Sequence, residues 1–270
     1  MPRSGGAWVA RGVAAGGVEP RGMSARRVAG IVLAAGASQR MGAPKALVTL
    51  AGSSFVEHVV SALRGGGVDP VIVVTRVELA DAVVERLREA AHVVVNNTPE
   101  RGMQSSIQAG LNGLLARGGS KICGKAGCDG GGTPEAGGSD TAGGFDGGAF
   151  LGSADGDVLC GMALALVDQP SVRADTVRHL VNLFLQDPAR IVVPRSPQGR
   201  RGHPVIFPVS LLPALRAEHA QGAREVLWQN ADRVQPAEVD DPGAFHNVNT
   251  PVELEALRHA VGDLRRPEGG

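Results

Sequence analysis

The stretch that decides the fold is VAGIVLAAGASQRMGAPK, residues 28–45. Its first six residues are a near-continuous apolar run of strand length, the pattern of a strand buried on both faces. A loop of small residues follows, holding Gly36 and Gly42 together with the cations Arg40 and Lys45. Small residues let backbone N–H groups approach an anion, and Arg40 and Lys45 supply fixed positive charge suited to a polyphosphate. The spacing excludes two common phosphate motifs. Five residues separate the glycines and the lysine comes three later, which fits neither a P-loop nor the dinucleotide fingerprint. Taken alone, these residues leave an ordinary strand-to-helix turn open beside a phosphate loop.

Outward from this stretch, residues 71–75, 92–95, 162–167 and 190–193 repeat the short apolar pattern. Helical patterns fill the intervals at about 54–64, 77–90, 103–117 and 174–186. That alternation predicts an α/β fold: three layers, Rossmann-like, with a mostly parallel sheet between helices. After Pro194 the rhythm changes. Gly199 and Gly202 mark a turn into the apolar 205–207 segment, which predicts a small antiparallel excursion. Thr250, Pro251 and Glu253 signpost the last helix with a cap, a first-position proline and a capping-box carboxylate.

Composition narrows the function classes. With 43% apolar and 20% charged residues the chain is expected to be soluble and to form a core, and its apolar runs are far shorter than the roughly 18–20 residues that cross a bilayer. Lys plus Arg and Asp plus Glu are 27 each, so no net positive field exists to favour nucleic acid. Six Phe, two Trp and no Tyr offer no stacking platform for single strands. Three cysteines make no disulfide framework, which predicts a reducing, cytoplasmic location with neither membrane nor nucleic acid as partner.

Two segments depart from this pattern. Residues 1–27 carry five arginines against Glu19 with no helical or strand period, and are expected to be a disordered basic tail, with a transit peptide or initiation at Met23 as alternatives. Residues 118–157 contain 15 glycines in 40 positions, which predicts a disordered insertion. Cys123 and Cys128 lie in it without the further ligands a zinc site needs. The remainder of 28–265 is one domain.

In an open parallel sheet, ligands bind beyond the carboxyl ends of the strands. Ser105 and Ser106 fall in the first turn of the helix after residues 92–95, placed either to cap it or to meet a ribose or base. Asp168 directly follows 162–167, where a lone carboxylate can hold Mg2+ or simply form a turn. Arg200, Arg201, Gly202 and His203 form a cationic turn that suits a phosphate-bearing acceptor and equally suits the start of a hairpin. Thr75-Arg76 stands where an oxidoreductase of this topology would carry an acidic ribose ligand.

Residues 33–45 resemble the L-A-x-G-x-S-x-R-M-G-x-x-K signature of the MobA-like nucleotidyltransferases. The likeness continues through GMQSSIQAGL at 102–111, VDQP at 167–170, RGHPV at 201–205 and NVNTP at 247–251. It implies the nucleotidyltransferase fold, with Leu33, Ala34, Ala35, Gly36 and Ser106 binding an NTP and Arg40 and Lys45 catalytic. It also implies Mg2+ held by Asp168 and Asn249, and an acceptor near Arg201 and His203. The reaction implied is NMP transfer to a phosphate-bearing acceptor with release of pyrophosphate. The acceptor would be a molybdopterin cofactor, and a molybdoenzyme or its chaperone would be a partner. Ala35 and the RGHP segment resemble the cytidylyltransferase branch and point to CTP. Asn247 and Asn249 depart from that branch's carboxylates and resemble the guanylyltransferase branch, pointing to GTP. A non-catalytic nucleotide-binding or cofactor-handling module is the alternative of a different class.

Overall fold

The structure is a computed structural model that describes residues 25–116, 121–122, 157–219 and 221–263. Strand β1 (Arg26–Leu33) turns Val28 and Val32 to one face and Ala29 and Ile31 to the other, and all four are fully buried. Burial on both faces is why the strand reads as a continuous apolar run instead of alternating. The chain then passes through a two-residue hairpin, β2 (Thr49–Leu50) and β3 (Ser53–Ser54), to α1 (Phe55–Gly65), β4 (Val68–Thr75) and α2 (Ala80–Leu87). It continues through β5 (His92–Val95), α3 (Met103–Ala116), the short β6 (Lys121–Ile122) and the long β7 (Val158–Leu166). The remaining elements are α4 (Ala174–Gln186), β8 (Ile191–Arg195), β9 (Val205–Pro208), α5 (Leu212–Arg216), α6 (Ala223–Gln229), β10 (Val234–Glu238) and α7 (Pro251–Asp263).

The main sheet has the order β10-β8-β9-β7-β1-β4-β5, with β6 paired to the start of β7. Its pairings are parallel except at β9, which runs antiparallel to both β7 and β8 and is the expected excursion. On one face Phe55, Val59, Val83, Leu180, Phe184 and Leu254 bring α1, α2, α4 and α7 onto the sheet. On the other, Ile107, Leu111, Leu215 and Val226 do the same for α3, α5 and α6. The result is the three-layer α/β architecture.

Chain order positions the site. From β1 the sheet grows outward through β4 and β5, and then β7 returns to the opposite side of β1. The crevice between β1 and β7 is therefore the topological switch point, where open α/β sheets bind ligands. Leu33 is level with Leu166 on one side and Val74 on the other, so the loops leaving β1, β7 and β4 share one rim. α3 sits unusually close to this rim: a Cβ at Gly110 would fall 2.7 Å from Ile31 Cγ2 and 2.9 Å from Val74 Cγ2.

Several expectations change in detail. The helical pattern at 77–90 resolves into a 3-10 turn, Val77–Leu79, followed by α2, and Arg88 ends the helix with φ of 49°. β7 begins at Val158, and β1 takes in Arg26 and Arg27, with Arg27 ion-paired to Asp157 at 3.3 Å and to Asp69 at 3.6 Å. The tail otherwise lies outside the described residues. So does the glycine-rich insertion, save for Asp157 and for Lys121 and Ile122, which pair with Val158 and Leu159.

Candidate active site

Ala34 keeps the strand register one residue past β1, donating its N–H to Val74 O at 2.8 Å. The loop then closes on Ser38, which has left-handed φ of 53°. Ser38 Oγ accepts from the Lys45 N–H at 3.1 Å and donates to Gly36 O at 3.3 Å. This clasp fixes the Lys45 backbone, and the side chain reaches across the switch point. Lys45 Nζ donates to Asp168 Oδ2 at 3.2 Å and to Asn249 Oδ1 at 2.7 Å.

Asp168 comes from the end of β7 and Asn249 from the entry to α7, and the backbone joins the two segments. Val248 N–H donates to Asp168 O at 2.8 Å, and Gln169 Nε2 donates to Asn247 Oδ1 at 2.8 Å. Glu253 fixes the entry by accepting from the N–H groups of Asn249 at 2.6 Å and Thr250 at 2.9 Å. The Asn249 N–H holds its carboxyl below the usual range. The capping box read from the sequence thus also orients a site residue.

Lys45 and Asp168 side chains are only 14% and 18% exposed. Such a pair costs desolvation that its mutual attraction offsets only with good geometry. One oxygen remains unsatisfied: Asp168 Oδ1 is buried with no hydrogen-bond partner. An open carboxylate oxygen beside amide oxygens is a hard-donor set that fits Mg2+, which commonly takes one or two protein carboxylates and completes its shell with water and substrate phosphates. Among the described residues no cluster of three or more His, Cys, Asp or Glu offers a fuller metal cage.

A cavity of about 710 Å³ opens beside this centre, walled by Leu33, Ala35, Gly36, Lys45, Ser106 and Asp168 among others. Six of the residues expected from the sequence therefore come together. Asn249 lies just behind, on the Lys45 ammonium. Ala34 is buried behind the wall, and Arg40 is exposed on the turn Gln39–Met41, outside it. The second cation of the wall is Arg76, at the end of β4. The strand-end rule that singled out Asp168 applies to Arg76 as well. Asn96, after β5, was also missed: its Nδ2 donates to Ser105 Oγ at 2.9 Å and Ser106 Oγ at 3.0 Å. Ser105 also donates to the Thr98 and Gly102 carbonyls, so it braces the loop, while Ser106 faces the cavity.

A second cavity, about 930 Å³, holds Arg201 and His203 in its wall and meets the first along Gly102, Met103, Leu166 and Asn247. His203 Nδ1 lies 3.2 Å from Leu164 O, so Nδ1 carries the proton. Burial pushes its pKa down, opposed by that hydrogen bond and by the charge of Asp168. Gly202 is required by close approach: a Cβ there would fall 2.1 Å from Ala244 O.

A glycine-bearing loop, a lysine–carboxylate centre at a switch point and two abutting cavities form the ligand crevice of an open α/β protein. The chain belongs to the MobA-like NTP transferase domain family, whose domain matches residues 30–234. It is similar to a molybdenum cofactor guanylyltransferase of Cupriavidus taiwanensis, 34% identical over 101 residues that cover 35% of this chain and 51% of that protein. The chain spans about half the length of the curated relatives it matches. Among solved structures it resembles a nucleotidyl transferase from Methanothermobacter thermautotroptrophicus, with TM-score 0.62, 21% identity and coverage of 88% of this chain and 99% of that one. It also resembles molybdopterin-guanine dinucleotide biosynthesis protein A from Archaeoglobus fulgidus, with TM-score 0.55, 18% identity and coverage of 87% and 100%. At these identities the structural likeness shows the fold.

Proposed function

We propose that the protein transfers a nucleoside monophosphate from an NTP to a phosphate-bearing acceptor of the molybdopterin type, releasing pyrophosphate. The observation that carries this reading is the convergence of Lys45, Asp168 and Asn249 at the smaller cavity, beside Leu166 and Asn247, which both cavities share. The triphosphate would lie along Ala35, Gly36 and Lys45, with the base or ribose against Ser106. An acceptor phosphate oxygen, already anionic at neutral pH, forms the new bond to the α-phosphorus as the α–β bridging bond breaks. No general base is needed. The protein's task is alignment and charge neutralisation, and Lys45 and Arg76 are placed to do both. Asp168 and Asn249 would hold Mg2+, which when bound supplies Lewis-acid stabilisation of the leaving pyrophosphate.

CTP is the donor this reading favours, because Ala35 and the Arg201–Pro204 segment resemble the cytidylyltransferase branch. GTP is the second reading. It is favoured by the names of the curated relatives, which are guanylyltransferases, and by Asn247 and Asn249. Pyrophosphate release measured with Mg2+, molybdopterin and each of CTP, GTP, ATP and UTP separates them. Release with CTP is the expected result, release with GTP alone would assign the guanylyl activity, and nucleotide binding without release would mark a non-catalytic module.

A further inference from the structure

The two cavities differ in how their polar groups are held. In the wall of the larger one, Arg224 and Trp228 stand exposed on α6. In the smaller one Ser106 is buried, and so are its neighbours Ser105 and Asn96. Burying a polar group is costly unless its hydrogen bonds are made, so every proton in such a cluster needs a partner. Asn96 Oδ1 lies 2.9 Å from the Thr98 backbone nitrogen, which can only donate. That contact fixes the amide orientation. It turns the two N–H groups of Nδ2 onto the serines, 2.9 Å from Ser105 Oγ and 3.0 Å from Ser106 Oγ.

Both serine oxygens accept from Asn96, but their own protons have different fates. Ser105 gives its proton to the Thr98 and Gly102 carbonyl oxygens, both 2.9 Å away. Among the described residues the Ser106 hydroxyl has no acceptor, and the bond from Asn96 is its only one. Its oxygen is engaged while its proton is not, in the wall of a cavity of about 710 Å³. At 6% exposure an unmet O–H costs free energy until an acceptor reaches it. The bond that Ser106 already accepts also polarises its O–H and makes it a better donor. Both partners stand on fixed elements: the Asn96 N–H donates to Thr75 O at 2.8 Å, and α3, which carries Ser106, packs closely on β1 and β4 at Gly110.

We propose that Asn96 is a positioning residue for nucleotide recognition: by donating to Ser106 Oγ it sets that hydroxyl as a donor into the smaller cavity. The nucleoside end of the ligand then has to present a hydrogen-bond acceptor there, either on the base or on the ribose. A site that holds a buried donor in this way discriminates strongly, because a ligand without the acceptor leaves the proton unmet. The proposal rests on the nucleotidyl-transfer reading for the identity of the ligand as an NTP, and its chemistry is testable without turnover.

The test is calorimetric titration of the full chain with CTP, with GTP and with inorganic tripolyphosphate, which has the phosphates without the nucleoside. Asn96→Asp keeps the acceptor for Thr98 and removes the donor, so Ser106 turns its proton onto the carboxylate and presents lone pairs to the cavity. Affinity for the nucleotide that wild type binds falls by about 10- to 100-fold, the scale of a hydrogen bond replaced by an unpaired buried group, while tripolyphosphate binds as before. Asn96→Ala, which adds no charge, weakens the nucleotide in the same direction. In a Ser106→Ala background neither Asn96 variant weakens binding further, whereas a purely structural role would give additive losses. The 2′,3′-dideoxy form of the same nucleotide separates the two sources of the acceptor: a persisting Asn96 effect assigns the base, and its disappearance assigns a ribose hydroxyl. Equal nucleotide affinity in wild type and both Asn96 variants, or equal losses with and without Ser106, overturns the proposal and leaves the transfer reading standing. Failure of wild type to bind either nucleotide or tripolyphosphate would remove both.

Discussion

Lys45 Nζ lies 2.7 Å from Asn249 Oδ1 and 3.2 Å from Asp168 Oδ2, so its ammonium sits on the oxygens that form the candidate cation site. The lysine answers the charge of a half-buried carboxylate whose Oδ2 otherwise has only the longer hydrogen bond from Asn247 Nδ2, at 3.5 Å.

Lys45→Met is therefore expected to act in two directions. Turnover should fall by about 100-fold or more, as for loss of a group that stabilises developing charge. Binding of Mn2+ in the absence of nucleotide, followed by electron paramagnetic resonance, should become tighter because the competing ammonium is gone. Unchanged turnover would remove Lys45 from the reaction.

Asp168→Asn preserves shape and removes the charge. The expected outcome is loss of turnover that added Mg2+ does not restore, with a folded protein by circular dichroism and a destabilisation of about 1–3 kcal/mol from the unpaired Lys45. Near-normal rates would assign the metal elsewhere.

His203 gives the site a pH dependence. Its folded pKa is below its ordinary 6.5 because burial disfavours the charged ring. The unfolded chain therefore takes up the proton first on acidification. The stability contribution is complete above about pH 6.5 and is lost as pH falls through that value toward the folded pKa. Urea unfolding between pH 7.5 and 5.5 should show this slope, and His203→Asn should flatten it.

Gly202→Ala tests close packing beside the larger cavity. Its Cβ would meet the Ala244 carbonyl at 2.1 Å, a backbone atom that cannot rotate away. A loss of about 1–3 kcal/mol is expected on unfolding, the usual scale of overpacking. A stability equal to wild type would show that the 244–249 segment shifts freely.

The sequence revealed most where burial is two-sided. β1, β4, β7 and β8 are buried runs with no alternation to confuse, β5 is uniformly half-buried and shows none either, and the loops at the strand ends held most of the site. β2 and β3 are only two residues long, too short for any period, and β10 contains Pro236, which argues against a strand unless it lies at the sheet edge, as here. Arg76 carried the same strand-end signal as Asp168 but was read only as a missing acid. Arg224 and Trp228 had no local signal, since a seven-residue helix shows little periodicity and their cavity forms only when α6 meets β9 and the 200–203 turn.

In the proposed reaction an NMP group passes from the NTP in one cavity to the acceptor in the other beside the Lys45–Asp168 centre. The most direct measurement is mass spectrometry of the products after incubation with CTP, Mg2+ and molybdopterin, alongside quantified pyrophosphate. The expected result is a CMP–molybdopterin adduct formed in equal amount with pyrophosphate, and no adduct from the Lys45→Met protein. Recovery of CTP and molybdopterin unchanged, with GTP and the other nucleotides equally inert, would contradict it.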